Sequence, residues 1–179
     1  MKKLGMVTLA LLLPVVLFSA AEAQQKDAKK DGVRKAVCVL HSSAGSKVHG
    51  TIWFTEEGSE IHISGEITGL TPGMHAFHVH EFGDCSAPDG MSTGPHFNPE
   101  GKPHGDRHAQ ERHVGDLGNV KADQSGKAAI DIRDRAVKLN GPHSVLGRAL
   151  IVHADPDDLK TQPTGNSGKR VACGVIQLH

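Results

Sequence analysis

Short runs of alternating apolar and polar residues, separated by turn-forming residues, fill the chain from residue 35 almost to its end. Because successive side chains of a strand point to opposite faces, alternation with a period of two predicts β-strands rather than helices. Clusters rich in Gly, Pro, Ser and Asp separate the runs and predict turns. The predicted strands are Lys35–His41, Val48–Thr55, Glu60–Thr68, Gly73–His80, Leu117–Ala122, Ala128–Arg133, Arg148–His153 and Val171–Gln177. This pattern predicts an all-β fold, an eight-stranded antiparallel Greek-key sandwich or barrel, with helix almost absent.

Two of the connections are too long to be simple links between strands in a compact domain, where loops above roughly 15 residues are usually functional or disordered. They span residues 81–115 and 154–170, and the first carries four of the thirteen histidines. The function is therefore predicted to lie in these two long loops.

The N-terminus has the three parts of a secretory signal: a positive start at residues 1–3, an apolar run over 4–18, and small residues over 19–23. The alternative is an uncleaved membrane anchor, but the run is shorter than a span of about 20 residues and contains Pro14. We therefore predict a signal peptide, residues 1–23, cut after Ala23, with no membrane contact afterwards. The two-lysine start and the Ala-x-Ala site are typical of bacteria, which predicts a periplasmic or otherwise secreted protein.

The mature chain is predicted to be one domain, residues 35–179, preceded by a flexible tail, residues 24–34. The tail is polar and has almost no apolar side chain to bury, whereas the domain is long enough for one hydrophobic core. The formal net charge is zero, and no Lys- or Arg-rich block follows the N-terminal region. Because a nucleic-acid-binding domain carries a basic patch or stripe, no nucleic-acid partner is expected.

Three cysteines remain after the predicted cut, which allows at most one intramolecular disulfide. Cys38 lies in an apolar strand-like run, where a free thiol commonly behaves as a small buried hydrophobe. Cys85 and Cys173 each lie beside turn-forming residues, and an exported protein meets an oxidising environment. We therefore predict a Cys85–Cys173 disulfide and a reduced Cys38.

Two histidines on the fourth predicted strand are placed to share one metal ion. His78 and His80 are two residues apart, so they project from the same face of the strand; the alternative is a half-buried strand with two hydrogen-bonded histidines. The strand 148–153 ends in His153, at the rim where the His78/His80 strand also emerges if the two are neighbours. With His96 from the first long loop, four nitrogens would surround one ion, and such a set suits Cu(II).

A second group of donors follows in the first long loop. His96, His104, His113 and Asp116 each lie near a Gly or Pro that frees or fixes the backbone. Three imidazoles and one carboxylate form a closed, tetrahedral zinc-type site. The alternative is a loop whose histidines only aid solubility, which is our interpretation of His108. Because an imidazole has two nitrogens, His96 could bind copper through one and zinc through the other.

Four motifs that contain these donors follow one another along the chain. They are Phe77–Asp84, Gly94–Pro99, Arg112–Asn119 and Gly165–Ile176. Together they resemble the motifs of the copper/zinc superoxide dismutases, and the resemblance extends over most of the mature chain, from about residue 35 to residue 177.

The resemblance implies both ligand sets and adds roles that the residues alone do not give. It implies copper on His78, His80, His96 and His153, and zinc on His96, His104, His113 and Asp116. It also implies that His96 is a bridging imidazolate, that Asp157 joins His78 to His104, that Arg170 guides the substrate beside copper, and that Cys85 pairs with Cys173. The implied reaction is the disproportionation of superoxide to O₂ and H₂O₂ by a copper ion that alternates between Cu(II) and Cu(I), with His96 taking up a proton.

The resemblance also implies a homodimer, because segments 82–84 and 145–147 match segments that pair subunits in eukaryotic relatives. Two features depart from those relatives. Cys85 directly follows Asp84, a placement that resembles bacterial members, so the chain is interpreted as an exported bacterial form. Loop 154–169 is shorter and lacks their acidic and lysine pair, which leaves Lys160 and Lys169 as the auxiliary cations near Arg170.

The rival interpretation is a non-catalytic copper-binding or copper-delivery protein on the same fold. Such relatives typically lose some copper histidines or the arginine, and in this chain all of them are present. The sequence therefore favours the enzyme.

Overall fold

A computed structural model describes residues 34–43 and 45–179, and these contain eight strands and a single short 3-10 turn, Met91–Thr93. The strands are β1 (Lys35–Ser42), β2 (His49–Glu57), β3 (Glu60–Thr68), β4 (Gly73–His80), β5 (Asp116–Ala122), β6 (Ala128–Asp134), β7 (Ala149–His153) and β8 (Arg170–Leu178). The predicted all-β fold is confirmed, and each predicted strand end lies within two residues of the observed one.

The N-terminal predictions concern residues outside this range. The predicted signal peptide, the cut after Ala23 and residues 24–33 of the predicted tail are not among the described residues. In the described part of the chain no helix is long and apolar enough to cross a membrane.

The strands pair antiparallel in the order β5-β4-β7-β8-β1-β2-β3-β6. Strands β1 to β3 follow one another along the sheet, after which the chain crosses to β4, and it crosses again from β6 to β7 in the Greek-key manner. The two outer strands, β5 and β6, are joined by a tight turn and lie close together, so the barrel is nearly closed. The second crossover, residues 135–148, is a third long connection besides the two that the sequence singled out.

Strand β4 separates the core from the site. Phe77 and Val79 belong to the hydrophobic core, whereas His78 and His80, each one residue on, join a cluster of histidines. All four side chains are fully buried. The predicted alternation along β4 therefore places apolar residues against the barrel core and imidazoles under the long loops.

The predicted disulfide is confirmed, and it joins Cys85 in the first long loop to Cys173 on β8 across 88 residues of sequence. Cys38 is the free cysteine of the described chain and is buried on β1. Burial raises the pKa of the Cys38 thiol to about 12. The thiolate, which is the reactive form, is therefore scarce at neutral pH.

Candidate metal centre

The first group of donors lies where β4 and β7 pair beneath the first long loop. Its members are His78, His80, His96 and His153, all buried. The two strands are neighbours, as expected, but they are antiparallel, and Val152 lies opposite Phe77. His153 therefore lies beside the middle of β4 rather than beyond its end. Its ring centroid is 5.0 Å from that of His78 and 5.5 Å from that of His80.

The loop residues reach this group because two loop segments hydrogen-bond to the same residue of β4. The N–H of Val79 donates to the carbonyl of Gly115 at 2.9 Å, and the carbonyl of Val79 accepts from the N–H of Phe97 at 2.8 Å. A Cβ at position 115 would overlap the Val79 oxygen, so the close approach requires glycine. These bonds fix the backbone next to His96 and next to Asp116.

The second group is centred on one oxygen of Asp116. Oδ1 lies 2.8, 3.0 and 3.1 Å from the Nδ1 atoms of His96, His104 and His113, and the contact with His104 is outside hydrogen-bond geometry. The other oxygen, Oδ2, accepts from the backbone N–H groups of Gly105 and His113 at 3.1 and 2.9 Å. The backbone thus aims the carboxylate at three imidazole nitrogens.

Hydrogen bonds on the outer side of the rings determine which nitrogen faces inward. Nδ1 of His80 donates to the carbonyl of Gly94 at 2.8 Å, and Nδ1 of His153 lies 3.4 Å from the carbonyl of Gly168. A neutral imidazole has one N–H, so each of these rings keeps the lone pair of Nε2 for the centre. The two Nε2 atoms are 3.4 Å apart.

Asp157, at the start of the second long loop, orients one ring from each group. Its Oδ2 accepts from Nε2 of His78 at 2.8 Å, and its Oδ1 accepts from Nε2 of His104 at 2.9 Å. Both rings therefore turn Nδ1 inward. The side chain of Asp157 is fully buried, and it lies where the resemblance implied, between a ring of the first group and a ring of the second.

Three inward-facing nitrogens, His78 Nδ1, His96 Nε2 and His104 Nδ1, are buried and have no hydrogen-bond partner among the described residues. A buried polar atom without a partner is costly, so these atoms fit ligands of an ion. Four imidazole nitrogens suit copper, and three imidazoles with a carboxylate suit zinc. His96 belongs to both groups, with Nδ1 beside Asp116 and Nε2 in the first group.

The electrostatics keep most of these rings in the form that binds metal. Burial, together with nearby charge, lowers the pKa of His80 and of His153 well below the usual value. Burial and the proximity of His78 lower the pKa of His96 to about 4. For His104 burial acts in the same direction, but the carboxylates of Asp116 and Asp157 outweigh it and raise the pKa to about 9. An ion held through Nδ1 of His104 would have to displace a proton.

Two residues that the sequence did not single out hold the second long loop in place. Asn119 on β5 exchanges two hydrogen bonds with the backbone of Asp157, at 2.7 and 2.9 Å. The side chain of Gln162 likewise accepts from the N–H of His104 and donates to its carbonyl, both at 2.8 Å. The second long loop is thus tied to β5 on one side and to the backbone of His104 on the other.

Arg170 lies beside the first group, in a pocket of ≈ 570 Å³ that His80 and His153 also line. Its guanidinium donates to the carbonyls of Gly90 and Gly94 at 2.8 and 2.9 Å and to Thr93 Oγ1 at 2.7 Å. These three acceptors are neutral, and among the residues that line the pocket Asp89 is the carboxylate that interacts with the Arg170 charge. Lys169 lines the same pocket, whereas Lys160 is not among its lining residues.

Comparisons with known proteins agree with the resemblance that the sequence motifs indicated. A family model described as copper/zinc superoxide dismutase (SODC) matches residues 48–176. The extracellular superoxide dismutase (Cu-Zn) of the nematode Brugia pahangi is 51% identical in an alignment of 153 residues that covers 80% of this chain and 75% of the relative. A solved structure titled "Crystal Structure Analysis of the clock protein EA4" superposes with a TM-score of 0.78 at 44% identity, over 83% of this chain and 96% of that chain. The 51% identical relative is eukaryotic, so the interpretation as a bacterial form is not supported.

Proposed function

The chain belongs to the copper/zinc superoxide dismutase family, and on that premise we propose that its two donor groups hold one copper and one zinc ion that share His96. As a member of this family, the chain is an oxidoreductase that disproportionates superoxide and has one copper and one zinc ion per subunit. The proposal assigns copper to His78, His80, His96 and His153, and zinc to His96, His104, His113 and Asp116. The observation that carries it is the set of buried, unpartnered ring nitrogens in both groups.

Copper, when bound, supplies the one-electron chemistry. The chain supplies the rest: Arg170 docks the superoxide anion at the pocket, and the buried rings of His80 and His153 form its inner wall. With Nδ1 held by zinc, His96 Nε2 would carry a proton whenever it is not a copper ligand and would donate that proton to the substrate, while water would supply the second proton of H₂O₂. His96 and Arg170 are therefore the catalytic residues of the proposal, while Asp157 positions two rings through their outer nitrogens.

Replacing Arg170 by alanine should lower the second-order rate constant for superoxide roughly tenfold, because the protein has no net charge and steering must come from local cations. Arg170→Glu should lower it further, and the wild-type rate should fall with rising salt, since charges are screened over about 10 Å at 0.1 M. Pulse radiolysis on metal-replete proteins measures each rate. Lys160→Glu changes the net charge by the same amount as Arg170→Glu, but at a residue that does not line the pocket, so it is the matched control. An unchanged rate in Arg170→Glu would remove Arg170 from the mechanism.

We propose that the protein is exported and that residues 1–23 are removed. The charged start, the apolar run and the small residues before Ala23 support export, and the relative from Brugia pahangi is named extracellular. N-terminal sequencing of the exported protein should begin at Gln24. A mature chain that retained the first three residues would contradict the cut.

We also propose a homodimer, built on an apolar face around Phe82. Phe82 is 55% exposed and Val39 is 49% exposed. Val39 lines a groove with Val37 and Val175, and Gly83, the residue after Phe82, approaches Val175, since a Cβ at Gly83 would lie 3.2 Å from Val175 Cγ1. Exposed apolar patches of this kind mark protein interfaces. Sedimentation should give twice the chain mass at micromolar concentration, and Phe82→Glu should give the monomer mass. Met74→Glu, at a residue 44% exposed on β4, should remain dimeric; a wild-type monomer would refute the proposal.

A further inference from the structure

A second pocket, of ≈ 680 Å³, lies between the first long loop and the end of β6, and no metal-ligand candidate lines it. Its charged lining residues are the cations Lys102, Arg107, Arg112, Arg133 and Arg135 and the carboxylates Glu60, Glu100 and Asp134. Cations therefore outnumber carboxylates in the lining of this pocket, although the protein as a whole has no net charge.

Two of the carboxylates are fully engaged by neighbours. Glu100 contacts Lys102 Nζ at 2.7 Å and His143 Nε2 at 2.9 Å. Asp134 is buried, accepts from Arg112 Nη2 at 2.6 Å, and also accepts from the backbone N–H groups of residues 136 and 137. Both carboxylates therefore neutralise cations that they already contact.

The third carboxylate, Glu60, forms long ion pairs with two arginines. It lies 3.6 Å from Arg133 Nη1 and 3.5 Å from Arg135 Nε. Arg133 has a closer partner in Glu57, whereas the contact with Glu60 is the only ion pair of Arg135 in the described chain. The Arg135 side chain is 82% exposed, and an exposed pair at this distance contributes little. Arg135 is thus free to turn toward a ligand.

Arg107 has no hydrogen bond or ion pair among the described residues, although it is half-buried. Its stem packs on β5, since its Cδ lies 3.6 Å from where a Cβ at Gly118 would stand. The guanidinium of Arg107 therefore has no protein partner to give up when an anion enters the pocket, and all of its N–H donors are available to that anion.

We propose that this pocket binds a tetrahedral oxyanion, phosphate or sulfate, between Arg107 on the first long loop and Arg135 just after β6. A guanidinium offers parallel N–H donors that match two oxygens of such an ion. The bound ion joins the first long loop to the end of β6. The site is independent of the proposed metal assignment, because neither arginine is a candidate ligand.

Equilibrium dialysis with radiolabelled inorganic phosphate tests the site on the metal-loaded protein, at constant ionic strength balanced with chloride. The protein carries Arg170→Gln throughout, which removes the other half-buried guanidinium that faces a pocket. Added Arg107→Gln or Arg135→Gln should weaken phosphate binding about tenfold or more, the scale of one charge-assisted hydrogen bond. Lys121→Gln removes the same charge from an exposed position on β5 and should leave binding unchanged.

Three outcomes would overturn the proposal. The first is no phosphate uptake at millimolar concentration, and the second is equal weakening by Arg107→Gln and Lys121→Gln. Unlabelled sulfate should displace the phosphate, whereas acetate at the same concentration should not, and equal displacement by acetate would reject a tetrahedral site. With Arg170 intact, Arg107→Gln should consume superoxide at the wild-type rate, which separates this site from the catalytic one.

Discussion

Replacing His96 by alanine should lower the content of both metals and reduce the superoxide rate constant by about a hundredfold or more. His96 is the one residue of the described chain that belongs to both donor groups, so its loss leaves three ligands on each side. Loss of an outer partner of a metal ligand already costs roughly 10- to 100-fold in affinity or activity. A shared ligand should cost more, because two sites are damaged at once.

Two matched variants separate the sites. His153 lies in the first group alone and His113 in the second alone, so His153→Ala should lower copper and largely keep zinc, and His113→Ala should do the reverse. Elemental analysis counts the metals, and the copper EPR spectrum reports the ligand set. If His96→Ala kept both metals, an unchanged EPR spectrum and wild-type activity, His96 would not be a bridge.

Removing the Cys85–Cys173 disulfide should lower the free energy of unfolding by about 4 kcal/mol. The two cysteines are 88 residues apart, and cross-linking a segment of that length restricts the unfolded chain by roughly this amount in the chain-entropy model. The bridge also anchors the first long loop to β8, the strand that begins with Arg170. Because Arg170 itself donates to Gly90 and Gly94 of that loop, the loop has two attachments to β8, and Cys85→Ser leaves one.

Denaturant unfolding of wild type, Cys85→Ser and Cys38→Ala measures this difference. Cys38→Ala removes a buried sulfur but no cross-link, so its cost should be about 1 kcal/mol, the scale of a small core deletion. Because burial raises the pKa of Cys38 to about 12, alkylation should reach it only after unfolding. Equal destabilisation by the two variants, or rapid alkylation of native Cys38, would contradict this assignment of the cysteines.

The strands could be read from the sequence because local patterns define them. Turn-forming residues stand at nearly every strand end, and alternation along β4 separates Phe77 and Val79 from His78 and His80. The donors could be grouped because histidines are concentrated on one strand, β4, and in the first long loop. The position of His153 was harder to predict from the sequence, since it depends on which residues of β7 pair with which residues of β4.

The supporting contacts could not be read from the sequence, because they join residues far apart through common surface side chains. Gln162 is 58 residues from His104, and Asn119 is 38 residues from Asp157. Neither residue type signals a long-range partner by spacing or periodicity. The inward nitrogen of each ring was equally hidden, because it follows from carbonyl and carboxylate acceptors such as Gly94 and Asp157 that the fold brings together.

The most direct test of the central claim is to measure, on one preparation of purified wild-type protein, the copper and zinc content and the superoxide decay followed by pulse radiolysis. The expected result is one copper and one zinc ion per chain and a decay rate proportional to the concentration of copper-loaded protein. Full occupancy by both metals without any acceleration of superoxide decay would contradict it.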